Sequence, residues 1–228
     1  MPGAVISVAV RGPPMVHYLG LRSGSMDGTL DYYDENSEEY SEKTFGADVS
    51  GLRDRFLSYV PHGGRILDLG CGSGRDSSFF LNAGYEVTAI DGSAGMCRIA
   101  SKNAGIAVRR LQFSQLDYVE EFDGVWACSS LLHVPSCELP STISLVRRSL
   151  KPGGVIFASF RLGDFEGDRD GRHYTDLDQG RLSDLFSRVG FEVIDTWESL
   201  EKGRGMRWCN GLFRKRPSDV SSSRRASG

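Results

Sequence analysis

The 228-residue chain contains no stretch that approaches the ~18 consecutive apolar residues of a membrane-spanning helix, so a membrane protein is not expected. It also lacks an excess of positive charge. Lys and Arg number 27 against 30 Asp and Glu, a net charge of −3, which leaves no broad basic surface for nucleic acid. Cysteine is sparse: Cys71, Cys97, Cys128, Cys137 and Cys209 are odd in number and never form a Cys-x-x-Cys pair. That spacing argues against a disulfide framework and a zinc knuckle, and it suits the reducing cytoplasm and a site without metal. No internal repeat is visible, and the length suits one domain with a full hydrophobic core.

What stands out is Arg65-Ile-Leu-Asp-Leu-Gly-Cys-Gly-Ser-Gly-Arg75, an apolar run broken by one acid that opens into three alternating glycines. It reads as a buried strand ending in a tight turn, and Asp76 to Leu81 restarts at helical spacing. Glycines in such a loop let a ligand approach the main chain, and the next helix offers unpaired N–H groups. Taken alone, the loop fits a nucleotide-type cradle and a plain strand-to-helix turn equally well. A dinucleotide fingerprint would place its third glycine at position 75, which is Arg75, and this weakens a hydride-transfer reading. A second strand, Tyr85 to Asp91, ends in a carboxylate 21 positions after Gly70, where it is placed to accept both hydrogens of a ribose diol.

With Asp68 before the glycines, Asp91 at the second strand end and Asp117 after a third strand, the pattern resembles the class I S-adenosylmethionine (SAM) dependent methyltransferases. The resemblance runs from about Leu30 to Lys215. Its later landmarks are Phe122 to Ser130 as fourth strand, Leu150-Lys-Pro-Gly-Gly154 as the turn into the fifth, and Phe191–Trp197 with Trp208–Lys215 as a terminal antiparallel pair. Cys71 to Ser77, Ala89 to Ser93 and Leu131-Leu-His-Val-Pro135 further resemble a bacterial subgroup labelled as tellurite-resistance-related.

The resemblance implies an α/β, Rossmann-like doubly wound sheet of seven strands, mostly parallel with the last strand antiparallel. It also implies SAM as cofactor: Asp68 near the methionine ammonium, Gly70, Cys71, Gly72, Ser73, Gly74 and Arg75 in the loop, Asp91 on the ribose with Gly92, Ser93 and Met96 beyond it, and Leu116 and Asp117 beside the adenine. Cys71 and Cys128 are expected either to touch the cofactor or to be small buried residues.

The chain between its ends alternates strand-like and helix-like segments. Expected helices cover 48–60, capped by Asp48 or Ser50, and 94–103, 140–150 and 179–189; a third strand is expected over 107–113. Residues 1–26 begin with neither a basic nor a continuous apolar region and are expected to be a poorly ordered extension, with Met26 a candidate initiator. A domain over 27–216 follows, then a disordered Ser- and Arg-rich tail over 217–228.

Two segments are expected to close over the strand ends. Asp31 to Tyr40 mixes aromatics with acids, and Tyr33 and Tyr40 are expected beside the cofactor; a solvated acidic helix face with packed aromatics is the competing reading. Residues 161–175 carry four acids, three arginines and three glycines, which suits a mobile substrate cover. Arg161 and Arg172 there, with Arg204 and Arg207 between the last strands, are expected to bind an anionic acceptor group unless they are solvated or paired internally. His133 is the best-placed candidate for a general base, with helix capping or packing under the cofactor the favoured competing reading, and His173 is a weaker second.

No Asn/Asp-Pro-Pro-aromatic sequence follows the fourth strand, no Pro-Cys dipeptide is present, and the Asp and Asp-Asn metal ligands of catechol-type enzymes are missing. The expectation is methyl transfer to an O, N or S atom of a small molecule. A methyltransferase acting on RNA or a protein side chain, or an NAD-linked reductase, are the alternatives.

Overall fold

The computed structural model describes residues 26–201 and 205–216. Residues 1–25 of the expected extension and the expected tail lie outside them, as does Arg204. Seven strands form one twisted sheet: β1 (Arg65–Leu69), β2 (Glu86–Asp91), β3 (Arg109–Arg110), β4 (Phe122–Ala127), β5 (Leu150–Arg161), β8 (Phe191–Leu200) and β9 (Arg207–Lys215). Their order is β3-β2-β1-β4-β5-β9-β8, and β9 runs antiparallel to both its neighbours. The remaining two strands, β6 (Glu166–Arg169) and β7 (Arg172–Thr175), form a separate hairpin. Helices α3 (Ser50–Leu57), α4 (Arg75–Asn82), α5 (Ala94–Ala104), α6 (Leu139–Ser149) and α7 (Gln179–Arg188) connect the strands, and α1 (Met26–Glu35) and α2 (Ser37–Thr44) precede them. No helix among the described residues is long and apolar enough to cross a membrane.

The central strands are apolar on both faces because helices cover both. Leu67, Leu69, Val125, Ala127, Ile156, Ala158 and Phe160 point into one core layer with Ile143, Val146, Leu182 and Phe186 of α6 and α7. The alternate residues Ile66, Trp126 and Phe157 point into the other layer with Phe56 of α3 and Phe80 of α4. Trp126 stacks on Phe157 with centroids 4.4 Å apart. Helix α3 lies so close to β4 that a Cβ on Gly124 would come within 2.6 Å of Phe56 and 2.8 Å of Val60.

Three sequence-based expectations need correction. The third strand contracts to two residues at the sheet edge, because Gln115 Oε1 accepts the Gln112 N–H at 3.3 Å and Phe113–Gln115 coil into a 3-10 turn. Helix α3 begins only at Ser50, whose N–H donates to Asp48 Oδ1 at 3.0 Å, and ends at Leu57. The segment 161–175 is a folded hairpin rather than a loose cover. Its two-residue turn, Asp170-Gly171, has φ 51° and 79°, the left-handed pair that matches strand twist. An Asp-Gly dipeptide between two short runs was the signal for it.

Candidate functional site

All five parallel strands end on one edge of the sheet, and there α1, α2, the β6–β7 hairpin and the end of β8–β9 border an open cavity of about 1060 Å³. That is at the upper end of small-molecule sites, roughly 300–1,000 Å³, and leaves room for two small ligands side by side.

One wall is the turn from β1 into α4. Gly70, Gly72 and Gly74 have φ of 75°, 53° and 76°, which a side chain strains. Their roles differ. A Cβ on Gly70 would strike Ser130 at 2.6 Å and one on Gly74 would strike the Ala100 backbone at 2.8 Å, so both serve packing. A Cβ on Gly72 meets nothing within 4 Å, because this residue faces the cavity. Cys71, Ser73 and Arg75 also line it, whereas Gly74 does not.

Asp91, at the tip of β2, accepts the Gly72 N–H at 2.9 Å through Oδ2 and the Ser93 N–H at 2.9 Å through Oδ1. A carboxylate has about four lone-pair sites, so two such bonds leave capacity for ligand hydroxyls. Burial pushes its pKa up to about 6. Gly92 and Met96 line the cavity beside it; Ser93 instead caps α5, accepting the Met96 N–H at 3.0 Å.

Asp68, in mid-β1, is only 2% exposed and receives Ser77 Oγ–H at 2.6 Å. Burial, then the neighbouring charge of Asp76, raise its pKa to about 7. Asp76 is neutralised: Arg75 grips it through Nε at 3.0 Å and Nη2 at 2.6 Å, and Trp126 Nε1 donates to it at 2.9 Å. Asp68 has no ion-pair partner among the described residues, and it opens on the cavity. A buried carboxylate in that state fits a cationic group such as the amino group of an amino-acid ligand.

Besides Gly74 and Ser93, two more residues of the expected cofactor set, Asp117 and Leu116, lie off the cavity. Asp117 is a surface side chain, 64% exposed, bound at 2.9 and 3.2 Å by Arg109, which holds its pKa below the usual carboxylate value. Leu116 is buried in the core and also lies off the cavity. The 3-10 turn is the cause, since it turns both away and brings Leu111, Gln112 and Phe113 to the wall instead.

The opposite wall comes from distant segments. Tyr33 of α1 donates its hydroxyl to His133 Nε2 at 2.9 Å, because Nδ1 of the same ring donates to the His173 carbonyl at 2.7 Å and leaves Nε2 as the acceptor. Burial, with Arg172 and Arg161 nearby, drives the His133 pKa down to about 3. His133 is therefore neutral, and its Nε2 lone pair is engaged by Tyr33. The His173 ring sits beside Thr175, at 3.3 Å, and does not line the cavity.

Tyr40 packs edge-on against Tyr33 with centroids 5.0 Å apart, and both line the cavity with Cys128, Arg161, Arg172 and Tyr174. Arg207 does not: it points outward, 64% exposed, and pairs with Glu198. Unforeseen contributors are Tyr174, which the hairpin delivers, and Asp34. Asp34 of α1 accepts from Ser93 Oγ at 2.6 Å and Gly95 N at 2.8 Å, tying the cover to α5. Burial pushes its pKa up, but those hydrogen bonds outweigh it and the net shift is downward. A second tie joins the hairpin, where the His173 N–H donates to Thr29 Oγ1 at 2.9 Å.

Residues 66–154 match the family model described as Methyltransferase domain. The chain is 37% identical over 116 residues to a ubiquinone biosynthesis O-methyltransferase of Xanthomonas axonopodis pv. citri, covering 45% of this chain and 47% of that protein. It thus spans about half the length of the curated relatives it matches. Among solved structures it resembles 1,6-didemethyltoxoflavin-N1-methyltransferase of Burkholderia thailandensis, with bound 1,6-didemethyltoxoflavin and S-adenosylhomocysteine, at TM-score 0.72 and 20% identity over 83% of this chain and 88% of that one. A TehB-like SAM-dependent methyltransferase of Corynebacterium glutamicum aligns at TM-score 0.62 and 19% identity, covering 83% of this chain and 100% of that one.

Proposed function

Since the chain has the class I SAM-dependent methyltransferase fold and carries a methyltransferase domain at residues 66–154, we propose that it moves the methyl group of SAM to an O, N or S atom of a small molecule. The observation that carries this reading is a single cavity with two unlike walls. One wall has the glycine loop, Asp68 and Asp91; the other has aromatic and cationic side chains beneath α1, α2 and the hairpin.

When bound, SAM supplies an activated methyl sulfonium, so the protein's tasks are alignment and exclusion of water. Asp68 would hold the ammonium, and the spare lone pairs of Asp91 would hold the ribose hydroxyls. Gly72 leaves free the space its side chain would occupy, and Leu111, Gln112 and Phe113 are the wall residues that would lie against the base. Tyr33 and Tyr40 would close the junction between the two ligands, with His133 holding Tyr33 through its hydroxyl. Alignment of this kind is worth on the order of 7 kcal/mol or more when the geometry is good. The net charge of −3 suits a small acceptor better than RNA, and five unpaired thiols, of which Cys71 and Cys128 line the cavity, suit work in the cytoplasm.

Calorimetry with SAM and S-adenosylhomocysteine tests the reading. The expected result is binding that Asp91→Ala weakens at least tenfold, about 1.4 kcal/mol. Undiminished binding by the variant, or a preference for NAD, overturns it.

A further inference from the structure

We propose that the methyl acceptor carries an oxyanion, a carboxylate or a phosphate-type group, seated between Arg161 and Arg172. This rests on the methyl-transfer reading of the same cavity and adds the class of its second ligand.

The two guanidinium groups differ from their neighbours in how their charge is answered. Arg75 grips Asp76, Arg169 grips Asp176 through two bonds at 3.0 and 2.7 Å, and Arg207 pairs with Glu198. Arg161 and Arg172 are half-buried, line the cavity, and have no carboxylate partner among the described residues. The acids of their own segment are engaged or solvated: Asp176 is held by Arg169, Glu166 accepts the Ser136 N–H at 2.7 Å, and Asp164, Asp168 and Asp170 are exposed. A half-buried cation without a counter-charge is an unfavourable arrangement unless a ligand completes it.

Aromatic rings hold both groups in place. The Arg161 guanidinium carbon lies 4.2 Å from the Tyr174 ring centre, and that of Arg172 lies 4.4 Å from Tyr32 and 5.4 Å from Tyr174. Each Nε is buried against this packing without a hydrogen-bond acceptor. Stacking occupies the guanidinium faces and leaves the terminal N–H groups as the donors for a ligand, and such a planar fork matches carboxylate or phosphate oxygens. The Arg172 guanidinium carbon also lies 5.8 Å from the Tyr33 ring centre, which places the anion seat beside the junction where the methyl group would arrive. The acids of the opposite wall, Asp68 and Asp91, repel an anion and so orient the acceptor with its charge at the arginine end.

The test uses the full-length protein saturated with S-adenosylhomocysteine, whose own binding is measured first. Failure at that first step counts against the methyl-transfer reading, whereas failure at the second, with the first intact, counts against the anion seat alone. In the second step benzoate, phenyl phosphate and neutral benzamide are titrated by calorimetry. At least one anion is expected to bind tenfold or more tightly than benzamide. Arg161→Gln and Arg172→Gln are each expected to weaken that anion at least fivefold while leaving S-adenosylhomocysteine affinity within twofold, which also reports an intact fold. Arg207→Gln, outside the cavity, is expected to change neither. Equal binding of the anions and benzamide, or anion binding unaffected by both cavity variants, overturns the proposal.

Discussion

The wall made by β1, the glycine loop and β2 carries buried acids, Asp68, Asp76 and Asp91, whereas the wall made by α1, the β6–β7 hairpin and the turn holding His133 carries Arg161 and Arg172 among tyrosines. The first wall is drawn from a short, continuous piece of chain, Asp68 to Asp91. The second is assembled from contacts such as Tyr33 with His133 and Thr29 with His173, 100 and 144 residues apart. Opposite charge on the two walls suits a cationic ligand on one side and an anionic one on the other. Local origin on one side and distant origin on the other means that the two can be perturbed separately.

The largest separation is expected from Gly72→Val. Its side chain would enter the open cavity at φ 53°, so S-adenosylhomocysteine binding should fall at least a hundredfold while circular dichroism reports a folded protein. Loss of the fold together with binding would mean that the acidic wall is only a packing turn.

A change of pH should act on the same wall by about tenfold. Asp68 must be ionised to receive an ammonium, and its pKa is raised to about 7, so S-adenosylhomocysteine affinity should fall roughly tenfold from pH 8 to pH 6, and more steeply once Asp91, at about 6, begins to protonate. Asp68→Asn should flatten the profile between pH 6 and 8. In the ligand-free protein the folded state holds this proton more tightly than the unfolded chain, whose carboxyl titrates near 3.8. Asp68 therefore contributes stability that is greatest below about pH 4 and declines as pH rises through 7, the reverse of a paired carboxylate. Affinity that does not change over this range would remove Asp68 from the ligand.

Gly171→Val should break the other wall alone. A β-branched residue at φ 79° strains the hairpin turn by roughly 1–3 kcal/mol. Hydrogen exchange over 172–175 should accelerate and anion binding weaken severalfold, with S-adenosylhomocysteine affinity within twofold of wild type. The smallest effect is expected from Asp34→Ala, which cuts the tie between α1 and α5. Amide exchange in α1 should rise and S-adenosylhomocysteine affinity should drop about threefold, because the cover opens while the glycine wall persists. An Asp34→Ala protein with unchanged exchange would show that the hairpin contact through Thr29 suffices to hold α1.

Much of this was legible in the chain because it is local. The glycine spacing, the acids at two strand ends and the apolar runs of the central strands specify the β1–α4–β2 unit, and right-handed crossovers then dictate where its edge lies. The misreadings are equally instructive. Asp117 sat at the right spacing for a strand-end acid, but Gln112 and Gln115 form a turn that ends the edge strand early and sends Asp117 to Arg109 on the surface. For His133 the choice between base, cap and packing residue was left open, because nothing in its sequence neighbourhood indicates that the His173 carbonyl fixes its tautomer and Tyr33 takes its lone pair.

The sequence by itself therefore determined the parallel sheet, the glycine loop and the acids Asp68 and Asp91, since strand period, left-handed turn positions and residue spacing are properties of neighbouring residues. Only the tertiary structure decided which arginines are left unpaired in the cavity, which tyrosines hold them, and which histidine is kept neutral. Pairing, stacking and desolvation depend on groups that meet across the fold, and a guanidinium in sequence carries no mark of whether an acid will reach it.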